Sequence, residues 1–300
     1  MKPAPFEYVA PASLEAALDV LSRQGGDAKL LAGGQSLIPV MNFRLAQPSL
    51  LIDLNQLSEL DYVRTVGQNG ATELRIGAMT RQRRLERDPL VAQWAPLLHE
   101  AVPFIAHPQI RNRGTIGGTL AHADPAAELP AVALALRARF RLVRVGGERW
   151  VEARDFFQGL FTTALEPEEM LVEVALPAAP ERPIRTGWSF HEVSRRHGDY
   201  AQAGLAAWVA LDETGRCLEA RLVFLSVGDA PVEASRAAGM LVGEALSPER
   251  IAAAAEVASR EEMDPAGDIH ASAAFKRHLA RVLTVRGLAT AAARARGEQG

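Results

Sequence analysis

The sequence AGGQSLIPVMNFRL, from Ala32 to Leu45, places two glycines and a serine between a short apolar run and an amphipathic segment. Strands are predicted on both sides, at AKLL before the glycines and at SLLIDLN after the amphipathic segment. The segment LIPVMNFRL is predicted to be a helix, since Leu37, Met41 and Leu45 recur every four residues. Residues 28–55 are therefore expected to form one β-turn-α-β unit. Glycines at its turn allow positive φ and close approach of a ligand, and successive N–H groups can form an anion-binding nest.

A second segment of similar composition, Thr115–Thr119, lies within RNRGTIGGTLAHADP. It contains Gly117 and Gly118 between two threonines, with Ile116 as an apolar anchor. One glycine pair alone is typical of an ordinary tight turn. Two pairs, each after an apolar run and each accompanied by hydroxyl side chains, predict the two halves of one cradle that holds a diphosphate through neutral donors.

Other motifs are excluded by the residues around these turns. Neither turn has the Gly-Lys-Ser/Thr ending of an ATP-binding P-loop, and the G-x-G-x-x-G dinucleotide fingerprint is absent. Gly34-Gln35-Ser36 begins like a nucleophile elbow, but Ile38 stands where that motif needs its second glycine. No HExxH motif or close histidine cluster occurs, so four histidines are interpreted as structural residues and not as metal ligands: His107, His122, His191 and His197.

Asp124 and Glu128 stand four residues apart, a spacing that would suit an acid/base pair on one helical face. Aspartate at a helix N-cap and glutamate in a first helical turn are equally common uses of these residue types. We therefore interpret the pair as residues at the start of a helix and assign no general acid or base.

The composition excludes several classes of protein. The 300 residues include 33 basic and 36 acidic side chains, a net charge of −3 with no basic tract, which argues against nucleic-acid binding. The single cysteine, Cys217, excludes an internal disulfide or a four-cysteine iron–sulfur cluster and is compatible with a cytoplasmic protein. The N-terminus lacks the apolar region of a signal peptide, and no run reaches the ~20 apolar residues of a membrane span.

The order of predicted elements indicates an α+β protein with three divisions: residues 1–57, 58–177 and 178–300. In the first two, a helix is expected over 14–25 behind Ser13, a long helical region behind Thr80 broken by Pro89 and Pro96, a helix from about Ala126, and strands at 73–79, 138–145 and 170–176. The proline-rich segment PAAPERP, residues 177–183, is the predicted linker. Beyond it, three strand-like runs predict a small antiparallel sheet, followed by helices at about 232–242, 248–262 and 271–296.

Three segments, AGGQSLIPVMNFRL, RNRGTIGGTLAHADPAAELP and EVSRRHGDYAQAG, resemble in collinear order the flavin-binding medium subunit of molybdenum hydroxylases. The likeness is greatest to the carbon-monoxide dehydrogenase medium chain and its relatives in the xanthine dehydrogenase family. It implies FAD bound between two N-terminal α/β subdomains of the PCMH type, followed by a C-terminal domain whose start carries Arg195, Arg196, Asp199 and Tyr200.

The resemblance also implies the residues that bind the cofactor. They are Ala32, Gly33, Gly34, Gln35, Ser36 and Leu37 in a first diphosphate loop; Thr115, Ile116, Gly117, Gly118 and Thr119 in a second; Asp124 and Glu128 at cofactor hydroxyls; Ile105 and Leu171 near the ring; and His191 beside the flavin. Gln35 stands where many relatives carry histidine, and Thr119 where serine or asparagine is common. His191 or Glu192 stands where some relatives place a lysine, which bears on flavin tuning and on the electron acceptor.

As a member of this family, the chain is expected to be an oxidoreductase subunit that takes electrons from 2Fe-2S clusters in a small subunit. The electrons would pass through FAD to a quinone, NAD or oxygen, while a large molybdopterin-binding subunit acts on carbon monoxide, a purine, an N-heterocycle or an aldehyde. A two-copy heterohexamer is the implied assembly. Two alternatives stay open: a self-contained flavin oxidoreductase of the PCMH type, and a non-catalytic nucleotide- or phosphate-binding module.

Overall fold

A parallel three-stranded sheet forms the first lobe of the protein, of which a computed structural model describes residues 2–68, 71–177 and 184–298. The elements of this lobe are β1 (Glu7–Val9), α1 (Leu14–Gln24), β2 (Ala28–Leu31), α2 (Leu37–Asn42) and β3 (Leu50–Asp53). The strands are ordered β1-β3-β2, and both pairings are parallel, as the predicted β-turn-α-β unit requires. The Ser13 hydroxyl accepts from Ala16 N at 3.2 Å, which confirms the predicted start of α1.

Helix α2 is shorter than the sequence predicted. It ends at Asn42, and Arg44 adopts a φ of 58°, which cannot continue a helix. Of the three apolar residues that suggested the helix, only Met41 is buried, whereas Leu45 is 80% exposed. The four-residue spacing was therefore partly accidental, since the chain turns away after two helical turns.

An antiparallel five-stranded sheet forms the second lobe, with the order β4-β5-β10-β6-β7. Its strands are β4 (Val63–Gln68), β5 (Ala71–Gly77), β6 (Arg139–Arg144), β7 (Gly147–Glu152) and β10 (Met170–Pro177), with a small hairpin of β8 (Phe157–Gly159) and β9 (Thr162–Thr163). Its helices are α3 (Gln82–Leu85), α4 (Pro89–Trp94), α5 (Pro96–Ala101), α6 (Pro108–Arg111), α7 (Ile116–His122), α8 (Glu128–Ala135) and α9 (Ala153–Phe156). Central strand β10 is buried on both faces, with Val172 packed toward the first lobe and Leu171 in the core of the second.

The helical region after β5 begins differently from the prediction. Thr80 does not cap it, because its hydroxyl donates to Tyr62 O at 3.0 Å and α3 starts behind Arg81. Pro89 and Pro96 begin α4 and α5 at their first turns, where the missing proline N–H is not needed. The predicted long helix is therefore three short ones.

The C-terminal lobe is an antiparallel sheet of order β11-β12-β13-β14 covered by helices, as predicted. Its elements are β11 (Arg185–Ser194), β12 (Ala201–Leu211), β13 (Cys217–Leu225), β14 (Val232–Glu233), α10 (Ser235–Gly239), α11 (Pro248–Glu261) and α12 (Ala273–Arg296). The predicted helix at 232–242 is in fact β14 followed by the short α10. Helix α12 lies so close to the sheet that a Cβ on Gly187 would be 1.9 Å from Ala291 O.

The α+β fold class is thus confirmed. The predicted linker lies, except for Pro177, outside the described residues, and the division into 1–57, 58–177 and 178–300 stays a prediction. None of the helices within residues 2–68, 71–177 and 184–298 has the length and apolar character needed to span a membrane.

The C-terminal lobe is fastened to the second lobe through Glu100 on α5. This carboxylate accepts from Trp188 Nε1 at 3.1 Å, from Phe190 N at 3.1 Å and from Arg294 Nη1 at 2.5 Å. Arg294 in turn donates to Trp188 O at 2.8 Å. One side chain therefore joins α5 to both β11 and α12.

Candidate functional site

The two glycine segments meet at the boundary between the first and second lobes. A Cβ on Gly33 would lie 2.5 Å from Arg113 O and 2.7 Å from Gly114 Cα, and one on Gly118 would lie 3.4 Å from Ala32 Cβ. Backbone atoms approach this closely only where a side chain is absent. The two glycine segments, one from each lobe, therefore lie close together, as the sequence predicted.

The first segment, Ala32 to Leu37, carries free backbone donors. Gly34 has a φ of +72°, a conformation that glycine adopts without strain. Its carbonyl accepts from Ile38 N at 3.1 Å, and Gln35 folds back so that its Nε2 donates to Gly33 O at 3.0 Å. Within the described chain, the N–H groups of Gly34, Gln35 and Ser36 have no acceptor. This segment therefore has the donors expected of an anion-binding loop.

The second segment differs from the predicted glycine turn, since Ile116 to Thr119 form the first turn of α7. Thr115 caps this helix by accepting from Gly118 N at 3.0 Å. Ile116 N donates to Thr80 O, Gly117 N to Ala78 O and Thr119 N to Thr115 O. The backbone donors are therefore engaged within the chain, and the segment offers the Thr119 hydroxyl and a close backbone approach instead of a second nest.

A cleft of about 290 Å³ opens beside the first segment. Its walls are formed by Leu31, Ala32, Gly33, Gly34, Gln35, Ile38, Pro39 and Arg113. The Arg113 guanidinium is exposed and has no hydrogen-bond or ion-pair partner among the described residues. A cation thus lines a cleft that was predicted to use only neutral donors. The sequence signal for it was present, because Arg113 stands two residues before the second glycine segment in RGTIGG.

Asp124 and Glu128 lie beyond α7, at the start of α8. Asp124 Oδ1 accepts from Ala126 N at 2.9 Å in a tight turn, while Ala127 occupies the N-cap, so the predicted aspartate N-cap is wrong. Glu128 is the first residue of α8, as predicted, and is only 8% exposed. Burial, with a smaller contribution from the charge of Asp124, raises the pKa of Glu128 to about 7, so this carboxyl is partly protonated near neutral pH.

His191 and Glu192 are neighbours on β11 and point in opposite directions. The His191 ring packs toward α12, since its Cδ2 atom lies 3.5 Å from where a Cβ on Gly287 would be. Glu192 faces Glu128, whose charge adds to burial in raising the pKa of Glu192 to about 8. His191 Nε2 and Glu192 Oε2 are both buried without a hydrogen-bond partner. The structure therefore places Glu192, and not the predicted His191, next to Glu128.

The remaining predicted positions lie around the same region. Ile105 and Leu171 are both buried in the core of the second lobe. The turn between β11 and β12 packs against Ala106 and His107, which follow Ile105, because a Cβ on Gly198 would lie 2.7 Å from Ala106 O and 2.5 Å from His107 Cε1. Arg195 donates to Asp199 within this turn at 3.0 Å. In the part of the chain that the structure describes, no group of three or more His, Cys, Asp or Glu residues could hold a metal ion.

The buried carboxyl of Glu128 and the half-buried carboxyl of Glu192 should make the stability of the FAD-free protein depend on pH. Their folded-state pKa values, about 7 for Glu128 and about 8 for Glu192, exceed the ~4.3 of an unfolded glutamate. The folded state therefore binds more protons between these values, so their contribution to the free energy of unfolding falls as pH rises from ~4.3 to ~8. Glu192→Gln should flatten this fall, as measured by urea unfolding at pH 5, 7 and 9. Glu213→Gln, at an exposed turn, is the control, and an unchanged slope in Glu192→Gln would contradict the assignment.

Comparisons with known proteins agree with this geometry. Residues 4–179 match the FAD binding domain in molybdopterin dehydrogenase, and residues 188–291 match the CO dehydrogenase flavoprotein C-terminal domain. Subunit alpha of the 6-hydroxypseudooxynicotine dehydrogenase complex of Paenarthrobacter nicotinovorans is 45% identical over 99% of this chain and 97% of its own length. The structure of carbon monoxide dehydrogenase from Hydrogenophaga pseudoflava that lacks the Mo-pyranopterin moiety has a TM-score of 0.92 at 40% identity, covering 98% of this chain and 99% of that one. Quinoline 2-oxidoreductase from Pseudomonas putida 86 gives a TM-score of 0.91 at 39% identity, with the same coverage of both chains.

A parallel lobe and an antiparallel lobe that meet at two glycine segments, beside a cationic cleft, define a two-lobed FAD-binding protein. The chain belongs to the family of FAD-binding medium subunits of molybdenum hydroxylase-type dehydrogenase complexes. The family resemblance inferred from the sequence is thereby confirmed, and the protein is an oxidoreductase subunit with FAD as its cofactor.

Proposed function

We propose that this chain is the electron-transfer subunit of a heteromeric molybdenum hydroxylase. When bound, FAD would supply the ability to accept electrons from 2Fe-2S clusters of a small partner subunit and to pass them to an external acceptor. The molybdopterin centre would belong to a large partner subunit, and two copies of each chain would form the assembly. We place this assembly in the cytoplasm, in keeping with the single free, buried thiol of Cys217.

The observation that carries the proposal is the meeting of the two glycine segments beside the cleft. The free N–H groups at Gly34 to Ser36 suit the phosphate oxygens of FAD, and the Arg113 guanidinium supplies a counter-charge. Gly33 and Gly118 have no side chain, and a Cβ at either position would fill the space in which the two segments approach each other. The Thr119 hydroxyl accepts from Gln82 Nε2 at 2.8 Å, which leaves its own proton available to a phosphate.

The acidic residues suit the hydroxyl groups of the same cofactor. We assign Asp124 and Glu128 as acceptors for these hydroxyls, and Ile105 and Leu171 as apolar residues close to the ring. Glu192 replaces His191 in our assignment of the flavin-proximal position, because its carboxyl faces Glu128. The protein's task at this site is to bind and orient the cofactor, and no proton-transferring catalyst is assigned.

The test is the cofactor content of the purified protein, alone or co-expressed with its partners. We expect a flavin absorption band that is released on denaturation and identified as FAD by chromatography. Reduction of the bound flavin by substrate only in the presence of the partner subunits would support the electron-transfer role. A folded complex without flavin would refute the proposal, while substrate-dependent reduction in the lone chain would favour the self-contained oxidoreductase.

Arg113→Gln should weaken FAD binding without unfolding the protein. The guanidinium is exposed, so we expect a loss of roughly threefold to tenfold at low salt, shrinking as salt screens the charge. Titration of the FAD-free protein with FAD, followed by flavin fluorescence at two ionic strengths, measures the effect. Arg23→Gln on α1 is the matched control, and equal affinity of the Arg113→Gln and parent proteins would count against a phosphate contact.

A further inference from the structure

Asn55 and Arg81 connect the two glycine segments through side-chain hydrogen bonds. Asn55 Nδ2 donates to Ala32 O at 3.0 Å, immediately before Gly33. Arg81 Nη2 donates to Asn55 Oδ1 at 2.5 Å, and Arg81 Nη1 donates to Arg113 O. These bonds run from the loop of the first lobe to the loop of the second. Neither residue belongs to a glycine motif.

The Asn55 amide is held in one orientation. Arginine can only donate, so Asn55 Oδ1 must face Arg81 and Nδ2 must face the Ala32 carbonyl. Asp53 supports this arrangement, because its Oδ1 accepts from Asn55 N at 2.8 Å and its Oδ2 accepts from the Tyr8 hydroxyl at 2.6 Å. A reversed amide would leave Arg81 opposite an NH₂ group. The network therefore has one satisfied geometry.

The position of Arg113 O determines the shape of the cleft. This carbonyl accepts from Arg81 and is also the atom that a Cβ on Gly33 would meet at 2.5 Å. The Arg113 side chain forms part of the cleft wall. The backbone next to Arg81 is fixed as well, since Gln82 N donates to Gly114 O at 2.9 Å. Movement of Arg81 would therefore shift both the second segment and the cationic wall.

We propose that Asn55 and Arg81 are positioning residues for FAD, which hold the two glycine segments at the separation that the diphosphate requires. This inference rests on the proposed FAD site and extends it to two residues outside the motifs. It requires Arg81 to bridge two acceptors at once. Lysine has a single ammonium group and lacks the planar guanidinium whose two Nη atoms reach both acceptors. Arg81→Lys should therefore weaken FAD binding as much as Arg81→Met.

A purely electrostatic role for Arg81 makes the opposite prediction. An arginine that acted only as a positive charge near the diphosphate would be replaced adequately by lysine, and its effect would decline with salt. Asn55→Asp tests the donor. It keeps the size of the side chain and an acceptor for Arg81, but it removes the donor to Ala32 O and to Asp53 Oδ1. Because it also adds a negative charge, the titration at high salt, where that charge is screened, is the deciding one. The proposed bridge predicts weaker FAD binding for this variant too.

The experiment is FAD titration of the FAD-free full-length protein for the parent, Asn55→Ala, Asn55→Asp, Arg81→Met, Arg81→Lys and the Asn55→Ala/Arg81→Met double variant. Each single variant should raise the Kd for FAD roughly tenfold to a hundredfold at both low and high salt. The double variant should have a Kd for FAD only slightly higher than that of either single variant, because each single change already removes the same bridge. Arg84→Met, which removes a neighbouring arginine bound to Asp61, is the control and should stay within about twofold.

Two results would overturn the inference: full rescue by Arg81→Lys, or independent, additive effects of Asn55→Ala and Arg81→Met. Thermal unfolding of the FAD-free variants accompanies the titration, so that loss of binding is compared only among folded proteins. Asn55→Asp keeps the test decisive if Asn55→Ala is unstable. Absence of FAD binding in the parent protein would instead refute the proposed function, and this inference with it.

Discussion

Gly33→Ala is expected to deprive the protein of most of its FAD. The new Cβ would meet Arg113 O at 2.5 Å and Gly114 Cα at 2.7 Å, and both are backbone atoms that cannot rotate away. The two segments would have to separate, at a cost of about 1–3 kcal/mol, and the donors of Gly34 to Ser36 would lose their alignment with the cleft. We expect FAD affinity to fall roughly tenfold to a hundredfold. Flavin content after purification and titration of the FAD-free protein measure it.

The matched control for this variant is Gly26→Ala in the same lobe, where a Cβ would meet no atom within 4 Å. It should keep the flavin content of the parent. The C-terminal lobe should fold in both variants, because its core cluster contains no residue of the first lobe, where both substitutions lie. Parental FAD content in Gly33→Ala would contradict the assignment of this segment to the diphosphate.

Glu100→Ala should be the most damaging change at the contact between the second and C-terminal lobes. It removes the acceptor shared by Trp188 Nε1, Phe190 N and Arg294, so that the indole and backbone N–H groups lose their acceptor and the guanidinium loses its carboxylate. Because the Glu100 side chain is 26% exposed, water compensates in part, and we expect a loss of about 2–3 kcal/mol in the free energy of unfolding.

Urea unfolding followed by tryptophan fluorescence measures this loss, since Trp188 lies at the contact. Glu244→Ala removes an exposed ion pair with Arg250 and should cost less than about 1 kcal/mol. Glu100→Gln keeps an acceptor for one donor and should fall between the two. A loss in Glu100→Ala no greater than in Glu244→Ala would show that the lobes are held by apolar packing alone.

Much of the fold could be predicted because its signals are local. Glycines after apolar runs located both segments, and alternating apolar residues located the C-terminal strands. The predictions that failed concerned hydrogen bonds that depend on how distant parts of the chain pack together. Thr80 was a plausible cap by residue type, but its hydroxyl donates to Tyr62 O once β4 pairs with β5. The engaged N–H of Gly117 has the same origin, since its acceptor, Ala78 O, directly follows β5 of the sheet.

The candidate site was predicted in its position but not in its charges. Asn55 and Arg81 are 26 residues apart, and each is an ordinary polar residue in sequence; only the contact between the lobes brings them together. His191, and not Glu192, was predicted beside the flavin, because a sequence fixes the alternation of a strand but not which face meets α8. Arg113 could be read from the motif, but the sequence could not show that its guanidinium makes no ion pair within the described residues.

The contact of Glu100 with β11 and α12 also implies an order of events during synthesis of the chain. Both glycine segments and the cleft are complete once the ribosome has passed β10, so the diphosphate can be held before Glu192 and the rest of the C-terminal lobe are made. Closure of the C-terminal sheet over the second lobe, by contrast, waits for Arg294 on α12. A nascent chain can thus hold the diphosphate before α12 joins the C-terminal lobe to the second lobe.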